Sequence, residues 1–195
     1  MRQLDLPSIS IAGHDVGGPV AYAYAAAHRD EVRHLVMMEA ALSGTEAPQF
    51  QASAGSYWHM AFHAEPDLLE SLIVGRERLY LSWFYRKFGY NPAAFTETDL
   101  DEYVRWYSEV GAMRSALQYY RNGEQDFAHN MESKKQPLEM PVLAVGGEHS
   151  LADNVELSLR EFASDVRGSV IKDAGHWPAE EQPEELARQL LEFLG

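Results

Sequence analysis

The stretch "ISIAGHDVGG", residues 9–18, decides the prediction of the fold. A short apolar run typical of a strand ends at Gly13, and Asp15 then follows among further glycines. The next residues, "PVAYAYAAAH" (19–28), are rich in alanine and predict a helix. Asp15 therefore lies on a tight turn between a predicted strand and a predicted helix, where sterics favour small neighbours.

The composition limits the class of protein. The chain has 195 residues, of which 46% are hydrophobic, enough for one domain with an insertion. It contains no cysteine, which excludes disulfides and thiolate chemistry, and its net charge of −14 argues against nucleic acid or an anionic membrane as a partner. No apolar run approaches the ~20 residues that span a bilayer. No signal peptide is visible either, so a cytoplasmic protein is expected.

The hydrophobic patterns divide the chain into three parts. The first part, residues 1–43, contains a βαβ unit at residues 8–43, which implies parallel strands. Residues 44–136 are crowded with aromatics and show helical spacing without a convincing strand; within them, Thr98 and Asp101 resemble a capping box. Residues 137–195 return to α/β alternation. The fold class expected is therefore α/β, with an all-helical cap inserted over the carboxyl ends of a parallel sheet. The predicted elements are strands 8–13, 34–40, 141–147 and 168–175, and helices 18–30, 153–164 and 183–194.

Asp15 has two possible roles. Residues 13–17 fit the pattern of a nucleophile elbow, with aspartate where serine is common, and a carboxylate there can attack carbon and form an ester. The N–H groups of the following helix would favour its ionised form. Alternatively, Asp15 simply caps the helix. His176, in "DAGHWP" after the last predicted strand, favours catalysis, because an ester intermediate needs a general base to activate water.

These segments resemble the α/β-hydrolase superfamily, in its aspartate-nucleophile branch of epoxide hydrolases and haloalkane dehalogenases. The resemblance implies hydrolysis of a small apolar epoxide to a diol, with water as the second substrate and with no cofactor or metal. It covers nearly the whole chain and rests on "AGHDVGGPVAYAYAAAH", "MEA", "PVLAVGGEHS" and "DAGHWPAEEQPEEL". With "WH", "LIVGRERLYL" and "YYRN", the "MEA" segment resembles most the bacterial cystic-fibrosis conductance-regulator inhibitory factor type of epoxide hydrolase.

The acid that orients His176 has two candidates. In many relatives it follows the strand "PVLAVGG", where this chain has Ser150, which cannot supply the charge. Some relatives carry the acid in a context like "MEA", which favours Glu39. Asp153, three residues beyond Ser150, is the alternative.

The resemblance also implies further site residues. Tyr120 and His59 match cap residues that hydrogen-bond or protonate the alkoxide formed on ring opening. Val16, directly after Asp15, offers its backbone N–H as an oxyanion donor. Trp58 and Trp177 are expected in the substrate pocket, and Trp58 keeps a haloalkane dehalogenase open as an alternative.

The sequence departs from the family at its beginning. Relatives carry several strands before the elbow, together with a segment that supplies a second oxyanion donor. The elbow strand, residues 8–12, is therefore expected at an edge of the sheet, where it could pair with a second copy of the chain. A non-catalytic remnant acting as an interaction module is the competing interpretation.

Overall fold

The computed structural model describes residues 2–47 and 57–195. Within these residues the chain forms one parallel sheet with the strand order β1-β2-β3-β4. The strands are β1 (Ile9–His14), β2 (Val32–Met38), β3 (Val142–Gly147) and β4 (Val166–Ile171). β1 pairs with β2 alone among the described strands and lies at an edge, as predicted.

Ten α-helices occur in the described residues, and six of them lie between β2 and β3, where no strand interrupts them. They are α1 (Gly17–Ala27), α2 (Trp58–Ala64), α3 (Leu68–Ile73), α4 (Glu77–Phe88), α5 (Glu97–Tyr107), α6 (Ala112–Arg121), α7 (Gly123–Ser133), α8 (Asn154–Leu159), α9 (Pro178–Glu181) and α10 (Pro183–Leu194). The predicted α/β class with a helical insertion is confirmed. The division into domains at residues 43/44 and 136/137 stays a prediction.

Apolar side chains cover both faces of the sheet. All six residues of β3 are buried, as expected for a central parallel strand. On one face the core includes Tyr22 of α1, whose ring packs edge-on against Phe162 at 5.6 Å between centroids. On the other face Val36 and Leu143 pack in one cluster with Leu186 of α10. This two-sided burial holds the strand ends in fixed positions. None of the helices in the described ranges is both long and apolar enough to cross a membrane.

Some predicted boundaries shift. β4 begins at Val166, two residues before the prediction, and ends at Ile171, so that the segment carrying Asp173 is a loop. The predicted helix 153–164 shortens to α8, whereas α10 has the predicted bounds. The capping box is formed by Thr96 and Asp99 rather than by Thr98 and Asp101. Both pairs have the same spacing, so the local sequence pattern alone does not distinguish them.

Candidate active site

Asp15 lies on the turn between β1 and α1 with a positive φ of 50°. Its N–H donates to the Met38 carbonyl at 3.1 Å, and its own carbonyl accepts from the N–H of Gly18 at 2.8 Å. A Cβ on Gly13 would lie 2.1 Å from the Gly17 carbonyl oxygen, so the turn admits only glycine there. A Cβ on Gly17 would meet open space. Sequence reasoning treats both glycines as required by the turn; this is right for Gly13 and wrong for Gly17.

The Asp15 carboxylate faces His176 rather than the helix. Val16 is the cap residue of α1, and no side chain caps this helix. Burial raises the pKa of Asp15, but the interaction with His176, with smaller contributions from His14 and His59, outweighs it and lowers the pKa. The side chain remains 41% exposed. An ionised and accessible carboxylate therefore lies on the elbow. Its ionised form is favoured by the His176 imidazole, whereas the sequence predicts that the N–H groups of the helix do this.

His176 lies between two carboxylates on the loop after β4. Its Nε2 is 3.6 Å from Oδ2 of Asp15, and its Nδ1 is 3.0 Å from Oε2 of Glu39. Burial lowers the pKa of His176, but the interactions with Asp15 and Glu39 outweigh it and raise the pKa to about 9. At neutral pH the imidazole is therefore a cation bridging both carboxylates.

Glu39 is held in a buried polar pocket directly after β2, and it is 1% exposed. Its Oε1 accepts from the N–H groups of Gly147 at 2.6 Å and Leu151 at 3.2 Å, and its Oε2 accepts from the Ser150 hydroxyl at 2.6 Å. Such donors offset the cost of burying a carboxylate. Ser150 lies at the position where many relatives place the acid. In this chain it donates a hydrogen bond to Glu39, the candidate acid at the end of β2.

The surroundings of Asp153 and Val16 show whether each can take its predicted role. Asp153 is exposed, and its carboxylate lies 3.4 Å from the Asn154 amide, so the structure does not bring it to His176. The backbone N–H of Val16 makes no hydrogen bond to any described residue. This N–H is therefore free to bind another group.

His59 on α2 and Tyr120 on α6 lie within the electrostatic reach of Asp15. Burial lowers the pKa of His59 while the charge of Asp15 acts to raise it; burial raises the pKa of Tyr120, and Asp15 raises it further. Neither side chain hydrogen-bonds to another residue in the described ranges, and Nδ1 of His59 is buried. The Phe88 ring lies between His59 and His176, at centroid distances of 5.3 and 6.2 Å.

Sequence reasoning treats His63, one helical turn after His59, as a surface or core residue, and the structure places it in the core. It is 6% exposed, its Nε2 hydrogen-bonds with the Tyr80 hydroxyl, and its ring meets Tyr120 edge-on at 4.4 Å between centroids. Burial, followed by the charge of His59, lowers its pKa to about 4. The spacing of four residues, which places both histidines on one face of α2, is the signal that could have revealed that His63 lies beside His59.

The two tryptophans occupy different environments. The Trp177 ring packs against His176 at 4.7 Å and against His14 at 5.5 Å between centroids, beside the candidate base. Trp58 is 49% exposed and packs against Trp83 and other rings of the helical segment.

Residues 2–189 match the model of the alpha/beta hydrolase family, and the chain belongs to this family. It is 33% identical over 201 residues to a soluble epoxide hydrolase of Corynebacterium sp. (strain C12), covering 100% of this chain and 69% of that enzyme. It superimposes on Cfl2 from Burkholderia cenocepacia with a TM-score of 0.89 at 36% identity, covering 98% of this chain and 67% of that one. The Cif epoxide hydrolase from Acinetobacter nosocomialis gives a TM-score of 0.85 at 25% identity, with coverages of 96% and 61%.

The predicted resemblance is thereby confirmed, and the chain is an enzyme of the hydrolase class related to epoxide hydrolases. It spans about two thirds of the length of these relatives.

Proposed function

We propose that this chain carries the catalytic residues of an epoxide hydrolase that opens a small apolar epoxide to a diol through a covalent ester on Asp15. The observation that supports this most is that His176 lies between Asp15 and Glu39, at 3.6 Å from the first and 3.0 Å from the second. This arrangement is the one that nucleophile, base and orienting acid need. Two relatives, a soluble epoxide hydrolase and the Cif epoxide hydrolase, support the substrate class by their names.

In the first step, an oxygen of Asp15 attacks a ring carbon, and the electrons of the breaking carbon–oxygen bond pass to the ring oxygen. The resulting alkoxide takes a proton from Tyr120 or His59, and that donor regains a proton from solvent. Because neither side chain has a hydrogen-bond partner within the described chain, both are available to the ring oxygen. Burial raises the pKa of Tyr120, so its hydroxyl stays protonated before the reaction.

Ester formation prepares the second step. The negative charge of Asp15 disappears, and with it an interaction that raises the pKa of His176. His176 then releases its proton to solvent and becomes a base, while Glu39 keeps Nδ1 protonated and Nε2 available.

In the second step, Nε2 takes a proton from water as the hydroxide adds to the ester carbonyl carbon. The backbone N–H of Val16 stabilises the oxyanion. Collapse of this intermediate releases the alkoxide of the diol, which takes the proton from His176. The Asp15 carboxylic acid then returns its proton to His176, and the starting state is restored.

A haloalkane dehalogenase could use the same ester. However, Val16 offers no side-chain donor for a halide, and the half-exposed Trp58 packs among rings of the helical segment. Epoxide chemistry is therefore the better supported proposal.

The ester can be trapped with a His176→Gln variant and styrene oxide as the probe. Mass spectrometry of the peptide containing Asp15 should show an adduct with the mass of the epoxide, because the ester forms but is not hydrolysed. An Asp15→Asn variant is the control and should show none. Turnover by the parent chain without any adduct in the His176→Gln variant would contradict the ester mechanism, and no turnover and no adduct would contradict the activity.

A further inference from the structure

Glu181, at the end of α9, is a buried carboxylate to which the reaction above assigns no role. It is 7% exposed, and no cationic side chain of the described residues contacts it. Its Oε2 accepts from the N–H groups of Tyr90 at 2.7 Å and Asn91 at 2.8 Å. Its Oε1 accepts from the N–H groups of Gly175 at 3.0 Å and Trp177 at 3.2 Å. Four backbone donors therefore stand where a counter-ion is usual.

The two donors on Oε1 flank His176 in the chain. The other two follow α4 in the helical segment between β2 and β3. A buried carboxylate is costly unless its donors stay in place, so the charge of Glu181 favours one arrangement of both loops. Glu181 thus links the backbone around His176 to the loop after α4.

Close backbone packing joins the same two loops. The N–H of His176 donates to the Phe88 carbonyl at 2.9 Å. A Cβ on Gly175 would lie 2.6 Å from both the Phe88 oxygen and the Tyr90 nitrogen. On its other side, Gly175 approaches Gly147, where a Cβ would lie 2.0 Å from the Gly175 oxygen. Because there is no room for sliding, the position of one loop determines that of the other.

α4 also reaches the second half of the candidate site. The rings of Phe84 and Phe88 lie 5.6 and 5.3 Å from the ring of His59, measured between centroids. The helix that packs on His59 therefore ends at the loop that Glu181 holds.

We propose that Glu181 is a positioning residue: it joins the His176 loop to the loop after α4 and thereby holds the imidazole between Asp15 and Glu39. This inference rests on the proposed role of His176 as the base of an epoxide hydrolase.

The test is a Glu181→Gln variant of the full chain. Glutamine keeps the shape but has one acceptor oxygen, so its amide NH₂ meets one pair of N–H donors and that side of the clamp opens. NMR titration of the His176 ring should then show a lower pKa than in the parent, because the contacts with Asp15 and Glu39 lengthen. With styrene oxide, kcat should fall by about tenfold to a hundredfold and KM should fall with it, because a displaced base slows hydrolysis of the ester on Asp15 rather than its formation.

Glu180→Gln is the matched control. Glu180 is the neighbouring carboxylate, accepts from the Tyr103 hydroxyl at 2.9 Å and contacts no backbone N–H of the His176 loop. The Glu180→Gln substitution removes the same charge as Glu181→Gln, so any long-range effect of charge on the pKa of His176 appears in both variants. The proposal expects the larger fall in the Glu181→Gln variant.

A folded Glu181→Gln variant whose His176 titrates as in the Glu180→Gln control would overturn the proposal. If Glu181→Gln does not fold, Glu181→Asp, which keeps the charge but withdraws the carboxylate by one methylene, is titrated with the same two outcomes. If neither variant folds, Glu181 serves the fold as a whole and the specific positioning role is rejected. The titration needs no substrate, so its result is separate from any failure of epoxide hydrolysis.

Discussion

At the scale of single residues, the protonation of His176 depends on its contact with Asp15. An Asp15→Asn variant preserves the shape but removes the charge, as ester formation does. We expect the pKa of His176 to fall from about 9 by about one pKa unit or more, the effect of losing a contacting opposite charge. NMR titration of the ring measures it, with Asp153→Asn as a control at an exposed carboxylate. A value that stays near that of the parent would contradict the proposed change of His176 from cation to base.

Two single substitutions test which of the two candidate acids orients His176. Glu39→Gln should reduce turnover on the order of a hundredfold or more, because the tautomer of His176 is no longer controlled. Asp153→Asn should leave turnover near that of the parent, since this side chain is exposed and faces Asn154. Steady-state rates of both variants decide the matter, and the opposite ranking would reverse the assignment.

At the scale of elements, the β1–α1 turn depends on Gly13 more than on Gly17. Gly13→Ala places a methyl group 2.1 Å from the Gly17 carbonyl oxygen, so we expect a loss of roughly 3 kcal/mol or more in the free energy of unfolding. Gly17→Ala enters open space and should remain within about 1 kcal/mol of the parent. Urea unfolding followed by circular dichroism provides both values. Equal effects of the two changes would show that the close approach at Gly13 does not limit the turn.

At the scale of the whole molecule, we expect the edge strand β1 to govern the association of the isolated chain. Only one side of β1 is paired with another described strand, and its outer N–H and C=O groups can template a further strand. Residues 8–12 carry no charge, and Ile9 and Ile11 are only half-buried. The net charge of −14 opposes association, but salt screens it beyond ~8–10 Å, so local pairing should prevail. We therefore expect association through residues 8–12, or poor solubility.

Light scattering and hydrogen exchange test this expectation. Association should accompany slow exchange of the amides of residues 9–12. A monodisperse monomer with rapid exchange at these amides would argue against pairing and would indicate a frayed turn beneath Asp15.

The sequence by itself determined the order of the elements and two members of the candidate triad, Asp15 and His176. Local patterns are sufficient for this, because the strand–turn–helix around Asp15 and the loop after the last strand each lie within a short segment. The ends of α10 were predictable for the same reason, with Pro183 at its first turn and Gly195 after its end. The boundaries of β4 and the position of the capping box were less certain, because neighbouring residues satisfy the same local pattern.

Only the tertiary structure decided which side chains meet. Glu39 and His176 are separated by 137 positions in the chain, and Glu39 and Ser150 by 111, so no local pattern reports either contact. The same holds for Glu181, whose donors come from two loops 91 and 6 positions away. Backbone propensity is a property of neighbours in sequence, whereas the compensation of a buried charge depends on donors that packing brings together. For this reason the sequence could name both candidate acids, while the structure selected the carboxylate that contacts His176.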